Sequence, residues 1–116
     1  MTQKKLHPKT VLVADDDEFY RSFLRDFLER QGYEVVCAED GEQALEIVNS
    51  HQIDLALLDV VMPRLSGFSV CRELKSNPAT RLIPVVMVTG LDSKEDHIRG
   101  IDSGADDFLN KPVQSE

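Results

Sequence analysis

The apolar positions of this chain fall into short solid runs that alternate with longer stretches in which they recur every three or four residues. Residues 11–14, Leu55–Leu58 and residues 83–88 are runs of the length a strand needs when both of its faces are buried. Residues 33–38 alternate more and read as a strand nearer a sheet edge, while Asp107–Asn110 supplies a fifth, short strand. Pro84 is tolerable only because it lies near the beginning of its strand. Between the strands lie helical patterns. From Glu18 to about Arg30, Phe19, Phe23, Phe27 and Tyr20, Leu24, Leu28 recur at steps of four, and Gly32 stands where a C-cap glycine belongs. This aromatic stripe is predicted to pack into the core. Asp40 with Gln43 has the form of a capping box opening a helix through Ala44, Leu45, Ile47 and Val48. Ser66 and Gly67 begin a third helix with Phe68, Cys71 and Leu74 inward, stopped by Asn77 and Pro78. The fourth, residues 93–103, is the least apolar; it offers Ile98 and Ile101, so its packing should be weakest and its position most easily shifted.

Strands alternating with helices over 116 residues predict one α/β domain: a doubly wound, five-stranded parallel sheet. Residues 1–9 read as a loose basic lead-in and residues 10–116 as the folded unit. Crossovers are right-handed, so a ligand belongs outside the C-terminal ends of the strands, where strand order reverses. Composition narrows the partners. No apolar run approaches the roughly 20 residues that span a bilayer, and the opening MTQKKLHPKT lacks the apolar core of a leader, which places the protein in the cytoplasm without a membrane partner. Thirteen basic against 21 acidic residues give a net charge of -8, which argues against direct nucleic acid binding and for a cation. Cys37 and Cys71 lie within apolar patterns, where reduced cysteine packs as a small hydrophobe.

The polar residues gather where that topology puts a ligand. Asp15, Asp16 and Asp17 follow the first strand, Asp59 the third, Thr89 ends the fourth and Lys111 follows the fifth. In the flavodoxin-like order 2-1-3-4-5 the first and third strands are neighbours at the switch point, which brings the acidic cluster within reach of Asp59. Two bare carboxylates about 4 Å apart repel by about 4 kcal/mol at an effective dielectric of about 20, so the pocket either holds a proton or binds a divalent cation. Mg²⁺ suits hard oxygen ligands and keeps water positions that a phosphoryl oxygen can replace. A carboxylate can attack phosphorus to form an aspartyl phosphate. Such transfer asks for an in-line position and charge neutralisation. Asp59, the cation, Lys111 and Thr89 supply those roles.

With VLVADDD, LLDVVMPRLSG, IPVVMVTG and GADDFLNKP in this order and spacing, residues 11 to about 113 resemble a response-regulator receiver domain of two-component signalling. The resemblance implies that Asp59 is the phosphoacceptor, taking phosphate from a histidine kinase or phosphotransfer protein. It further implies that Asp16 ligates Mg²⁺ directly, Asp15 holds metal-bound water and the Val61 carbonyl is a backbone ligand. Thr89 is similar to the switch hydroxyl and Lys111 to the lysine that pairs with the phosphoryl group. Phe108 occupies the place of the switch aromatic, without the hydroxyl of the commoner tyrosine. The bond between Lys111 and Pro112 is typically cis in such domains. Asp17 is harder to assign, since the first strand could be read one residue later; counting from the apolar run favours Asp15 and Asp16. Asp106 and Asp107 read as caps of a strand start rather than metal ligands. The surface from Leu91 to Lys111 is the expected output face, read by an unknown output domain or target, and the chain from Asn77 to Val113 resembles receivers attached to cyclic-di-GMP enzymes.

Two departures matter. A fifth helix would pack beside the first, but only Val113 to Glu116 follow the Lys-Pro pair. The uncovered apolar surface predicts self-association as a homodimer, or low stability, which sedimentation and thermal melts would detect. Val61 and Leu91 are apolar where side chains would flank the phosphoryl group, which predicts a long-lived phosphorylated form; loss of phosphate within seconds would contradict it. Beyond self-catalysed phosphorylation and dephosphorylation no enzymatic activity is expected. Two alternatives compete: a phosphatase of the haloacid dehalogenase class, whose DxD is mimicked by Asp15 and Asp17, and a receiver-like binding module that is never phosphorylated.

Overall fold

The computed structural model describes residues 8–90 and 94–111. The chain runs β1 (Thr10–Ala14), α1 (Glu18–Arg30), β2 (Glu34–Ala38), α2 (Gly41–Ser50), β3 (Leu55–Leu58), α3 (Gly67–Ser76), β4 (Val85–Thr89), α4 (Lys94–Ser103) and β5 (Asp107–Asn110). All strand pairs are parallel and the order is β2-β1-β3-β4-β5, as expected from the alternation of runs and periodic stretches. β2 is at the edge, in keeping with its more alternating pattern.

Side-chain alternation splits the apolar runs between two faces. Leu12, Ala56, Leu58, Val85 and Met87 join Val48 of α2 and Phe68, Cys71 and Leu74 of α3 in one buried cluster. Val11, Val13, Leu57 and Val88 form the other with Tyr20, against which Leu24 and Leu28 of α1 are packed. Helix starts follow their caps. The Asp17 carboxylate accepts from the amides of Phe19 and Tyr20, Asp40 from that of Gln43, and Ser66 Oγ from that of Ser69. In the α2 cap the Gln43 side chain accepts from the amide of Glu39, one residue before the position a standard capping box uses.

Several local expectations are corrected. The phenylalanine half of the α1 stripe does not enter the core: Phe19 is 79% exposed, and Phe23 and Phe27 are also exposed, because Tyr20, Leu24 and Leu28 already cover the sheet from α1. No helix follows β5 among the described residues, and Phe23, Phe27, Leu55, Val86 and Leu109 line an apolar groove of about 460 Å³ beside α1. On α4, Ile98 and Ile101 face solvent, the latter 68% exposed, whereas Gly100 and Ser103 are buried. The sheet-facing stripe of α4 therefore joins small residues to His97, whose ring stacks on Phe108 of β5. β4 starts at Val85 instead of residue 83, since the Ile83 amide donates a hydrogen bond to the Thr80 carbonyl that holds it in a turn, and Pro84 contributes only its carbonyl, which accepts from the Ala56 amide. At the other end, Lys9 already accepts from the Glu34 amide at 2.9 Å, one residue before the expected domain start. Residues 1–7 of the lead-in, Leu91, Pro112 with its peptide bond, and residues 113–116 lie outside the described residues.

Candidate functional site

The C-terminal ends of the strands carry the site because each apolar run stops there. Ala14 and Leu58 are in register, so the residues that follow them, Asp15 and Asp59, emerge side by side, the Asp59 amide donating to the Ala14 carbonyl at 2.9 Å. Both carboxylates are deeply buried, Asp15 at 2% and Asp59 at 7% exposure. Behind them the loop closes tightly. The Gly67 amide donates to the Val60 carbonyl, and a Cβ on Gly67 would collide with the Asp59 carbonyl oxygen, so only glycine admits α3 this close.

Carboxylate oxygens of Asp15, Asp16 and Asp59 lie within 4.8 Å of one another. Asp16 is solvent-exposed, which leaves the cluster open on one side. Asp17 spends its carboxylate on the α1 amides and is not part of this group. β1 ends at Ala14, so Asp15 and Asp16 are the acids brought to Asp59, and Asp17, the second acid of the DxD reading, lies outside the group. Asp106 accepts from the Val85 amide and pairs with Lys75 at 3.0 Å, well away from the cluster, a structural role as expected.

Lys111 supplies the local cation. The Thr89 carbonyl accepts from its amide at 2.8 Å, continuing the β4–β5 ladder in which Thr89 and Asn110 are partners. The ammonium reaches 2.7 Å from Asp15 Oδ2 and 3.6 Å from Asp59 Oδ2. Burial by itself would lower the lysine's proton affinity, but the hydrogen bond to Asp15 and the charges of Asp59 and Asp15 outweigh it and raise the pKa. Asp59 goes the other way: burial first and the Asp15 charge next push it up to about 6, and Lys111 offsets only part of this. A carboxyl so poised gains from any additional cation in the cluster. The donor set is all oxygen, two of the three acids are buried and one is open to water, which fits Mg²⁺.

Thr89 is buried at the end of β4. Phe108 points to the α4 side of the sheet, stacked on His97 with ring centroids 4.6 Å apart, and it fills a notch at Gly100 that a Cβ would close. The Val61 side chain is exposed at the mouth of the site. Two participants were not foreseen. Arg21 Nη1 donates to the Asp15 carbonyl at 2.7 Å, and the Tyr20 ring lies 4.4 Å from the Lys111 ammonium. Periodicity marked Tyr20 as inward-facing, but nothing local to α1 could reveal a partner that arrives with β5.

A parallel sheet in this order, with paired acids at the switch point and a lysine beside them, defines a phosphorylation-dependent switch of the receiver type. Residues 11–116 match the family described as the response regulator receiver domain, and the chain belongs to that family. It is 48% identical over 103 residues to the response regulator PleD of Caulobacter vibrioides, covering 89% of this chain and 23% of PleD. Among solved structures it is similar to the chemotaxis protein CheY4 of Vibrio cholerae, with a TM-score of 0.88, 30% identity, and coverage of 93% of this chain and 90% of that one. A response regulator of Burkholderia pseudomallei solved with a phosphorylated aspartic acid and a calcium ion matches with a TM-score of 0.84 and 28% identity, over 91% of this chain and 61% of that one. The chain spans about a quarter to a half of the length of the curated relatives it matches. Receiver domains bind Mg²⁺ at their acidic pocket and interact with histidine kinases or phosphotransfer proteins. Among the described residues no helix is long and apolar enough to cross a membrane.

Proposed function

We propose that Asp59 is the phosphoryl acceptor of this receiver, with a histidine kinase or phosphotransfer protein as donor. The observation that carries the reading is the Lys111 ammonium seated between Asp15 and Asp59 at the switch point of the sheet. An Asp59 oxygen attacks phosphorus; the new O–P bond forms as the bond from phosphorus to the donor nitrogen breaks, and its electron pair leaves with the imidazole. Lys111 neutralises charge on the transferred group, and Thr89 donates its hydroxyl to it. Asp15 and Asp16, with Asp59 and the Val61 carbonyl, would hold Mg²⁺, which supplies further charge neutralisation when bound.

Phosphorylation adds about 1.5 to 2 negative charges beside Lys111 and Thr89. Drawing both toward the acceptor shifts the ends of β4, which Thr89 closes, and of β5, which Lys111 follows. Phe108, keyed into Gly100 and His97, carries that shift to α4. The output surface accordingly runs from Leu91 to Lys111. The test is labelling with Mg²⁺ and acetyl phosphate, or beryllofluoride binding, in wild type, Asp59→Asn and Asp15→Asn. Label that vanishes in Asp59→Asn is expected; label retained there and lost in Asp15→Asn would overturn the assignment.

A further inference from the structure

Tyr20 is the only residue of α1 that is buried. Its ring leans on Phe23 at 5.9 Å between centroids and 40° between planes. It also approaches the Lys111 ammonium to 4.4 Å. On its other sides the ammonium meets Asp15 at 2.7 Å and Asp59 at 3.6 Å, and the lysine side chain is largely enclosed. Two of these three contacts are carboxylates of the cluster that would hold a divalent cation. A cation on Asp15 competes for the oxygen that Lys111 now uses and repels the ammonium besides. The ring is different. It attracts a cation through its quadrupole, carries no net charge, and ligates no metal, so its hold on Lys111 survives when Asp15 is claimed. An aliphatic residue in the same place would desolvate the ammonium and give nothing back.

We propose that Tyr20 is a positioning residue for Lys111: its ring and the Asp15 carboxylate form a two-sided seat for the ammonium beside Asp59, and the ring keeps the ammonium there when a divalent cation occupies the acidic cluster. The role rests on the reading of Asp59 as phosphoryl acceptor. It explains why an aromatic residue, rather than another leucine, occupies the buried position of α1 nearest the site.

Two measurements test it. The chain holds two tyrosines and no tryptophan, so a Tyr33→Phe background leaves Tyr20 as the one ultraviolet-emitting reporter of that kind. Titration with MgCl₂ should change Tyr20 emission saturably, and the amplitude should fall by about threefold or more when Lys111→Met removes the cation over the ring. In acetyl phosphate labelling, Tyr20→Leu should react about tenfold slower than wild type, Tyr20→Phe should restore the rate to within about twofold, and Tyr20→Leu should add less than about twofold to Lys111→Met. Equal slowing by Phe and Leu, an undiminished Leu effect without Lys111, or an emission change indifferent to Lys111 would each overturn the proposal. Absence of label in wild type would sink the acceptor reading instead, while the emission titration would still decide whether the seat exists.

Discussion

The two faces of the sheet are built from alternate residues of the same strands, yet one is sealed and the other half-open. On the α2–α3 side Leu12, Leu58, Val70, Val85 and Met87 are wholly enclosed. On the α1 side Tyr20, Leu24 and Leu28 cover β1 and β3, while Phe23, Phe27 and Leu109 remain exposed along the groove, Leu109 at 45%. The difference teaches that strand hydrophobicity is no measure of burial: Phe108 and Leu109 are neighbours in β5, and among the described residues only the first is met by a ring from a helix, because α4 lies on its side. Stability should therefore reside on the sealed face. The open face is left with apolar surface of the kind that contacts between molecules cover.

The largest test of that contrast is truncation. Leu58→Ala should cost about 3 to 4 kcal/mol in urea unfolding, since nothing on the sealed face can relax into the void. Next, Gly100→Ala should cost about 2 kcal/mol by driving Phe108 from its notch, and Phe108→Leu in the same chain should recover part of it in a double-mutant cycle. A full, undiminished cost in the double variant would show that Gly100 matters for α4 alone.

Asp59 tests the rim where the faces meet. Its folded pKa of about 6 lies above the ordinary 3.8, so its ionised form opposes folding; that penalty is complete above pH 6 and fades as pH falls toward 3.8. Asp59→Asn, melted in the presence of a chelator, should thus gain on the order of 2 kcal/mol at pH 7.5 and nothing near pH 4. A gain that is flat with pH would assign the effect to packing. The smallest effect is expected on the open face, where Phe27→Ser should cost less than about 1 kcal/mol in the same urea assay that Leu58→Ala strongly perturbs. Comparable losses from the two would erase the distinction between the faces.

Fold class and strand order were legible because burial on both faces demands solid apolar runs, and parallel strands demand helices between them. The acids and Lys111 were legible as well, since each follows the end of a run, and runs end at one edge of a parallel sheet. The stripes of α1 and α4 misled for one reason. Periodicity states which residues share a side of a helix, but not how wide a strip the neighbouring element covers, so Phe23 and Phe27 of α1 and Ile98 and Ile101 of α4 read as packing residues although all four are exposed.

The sequence by itself determined the architecture and the placement of Asp15, Asp16, Asp59, Thr89 and Lys111 at strand ends, because alternation and run length act locally. Tertiary structure alone decided that Phe108 locks into Gly100 and that Tyr20 faces Lys111. These contacts join different elements of the fold, and their geometry exists only once β5 has docked against β4.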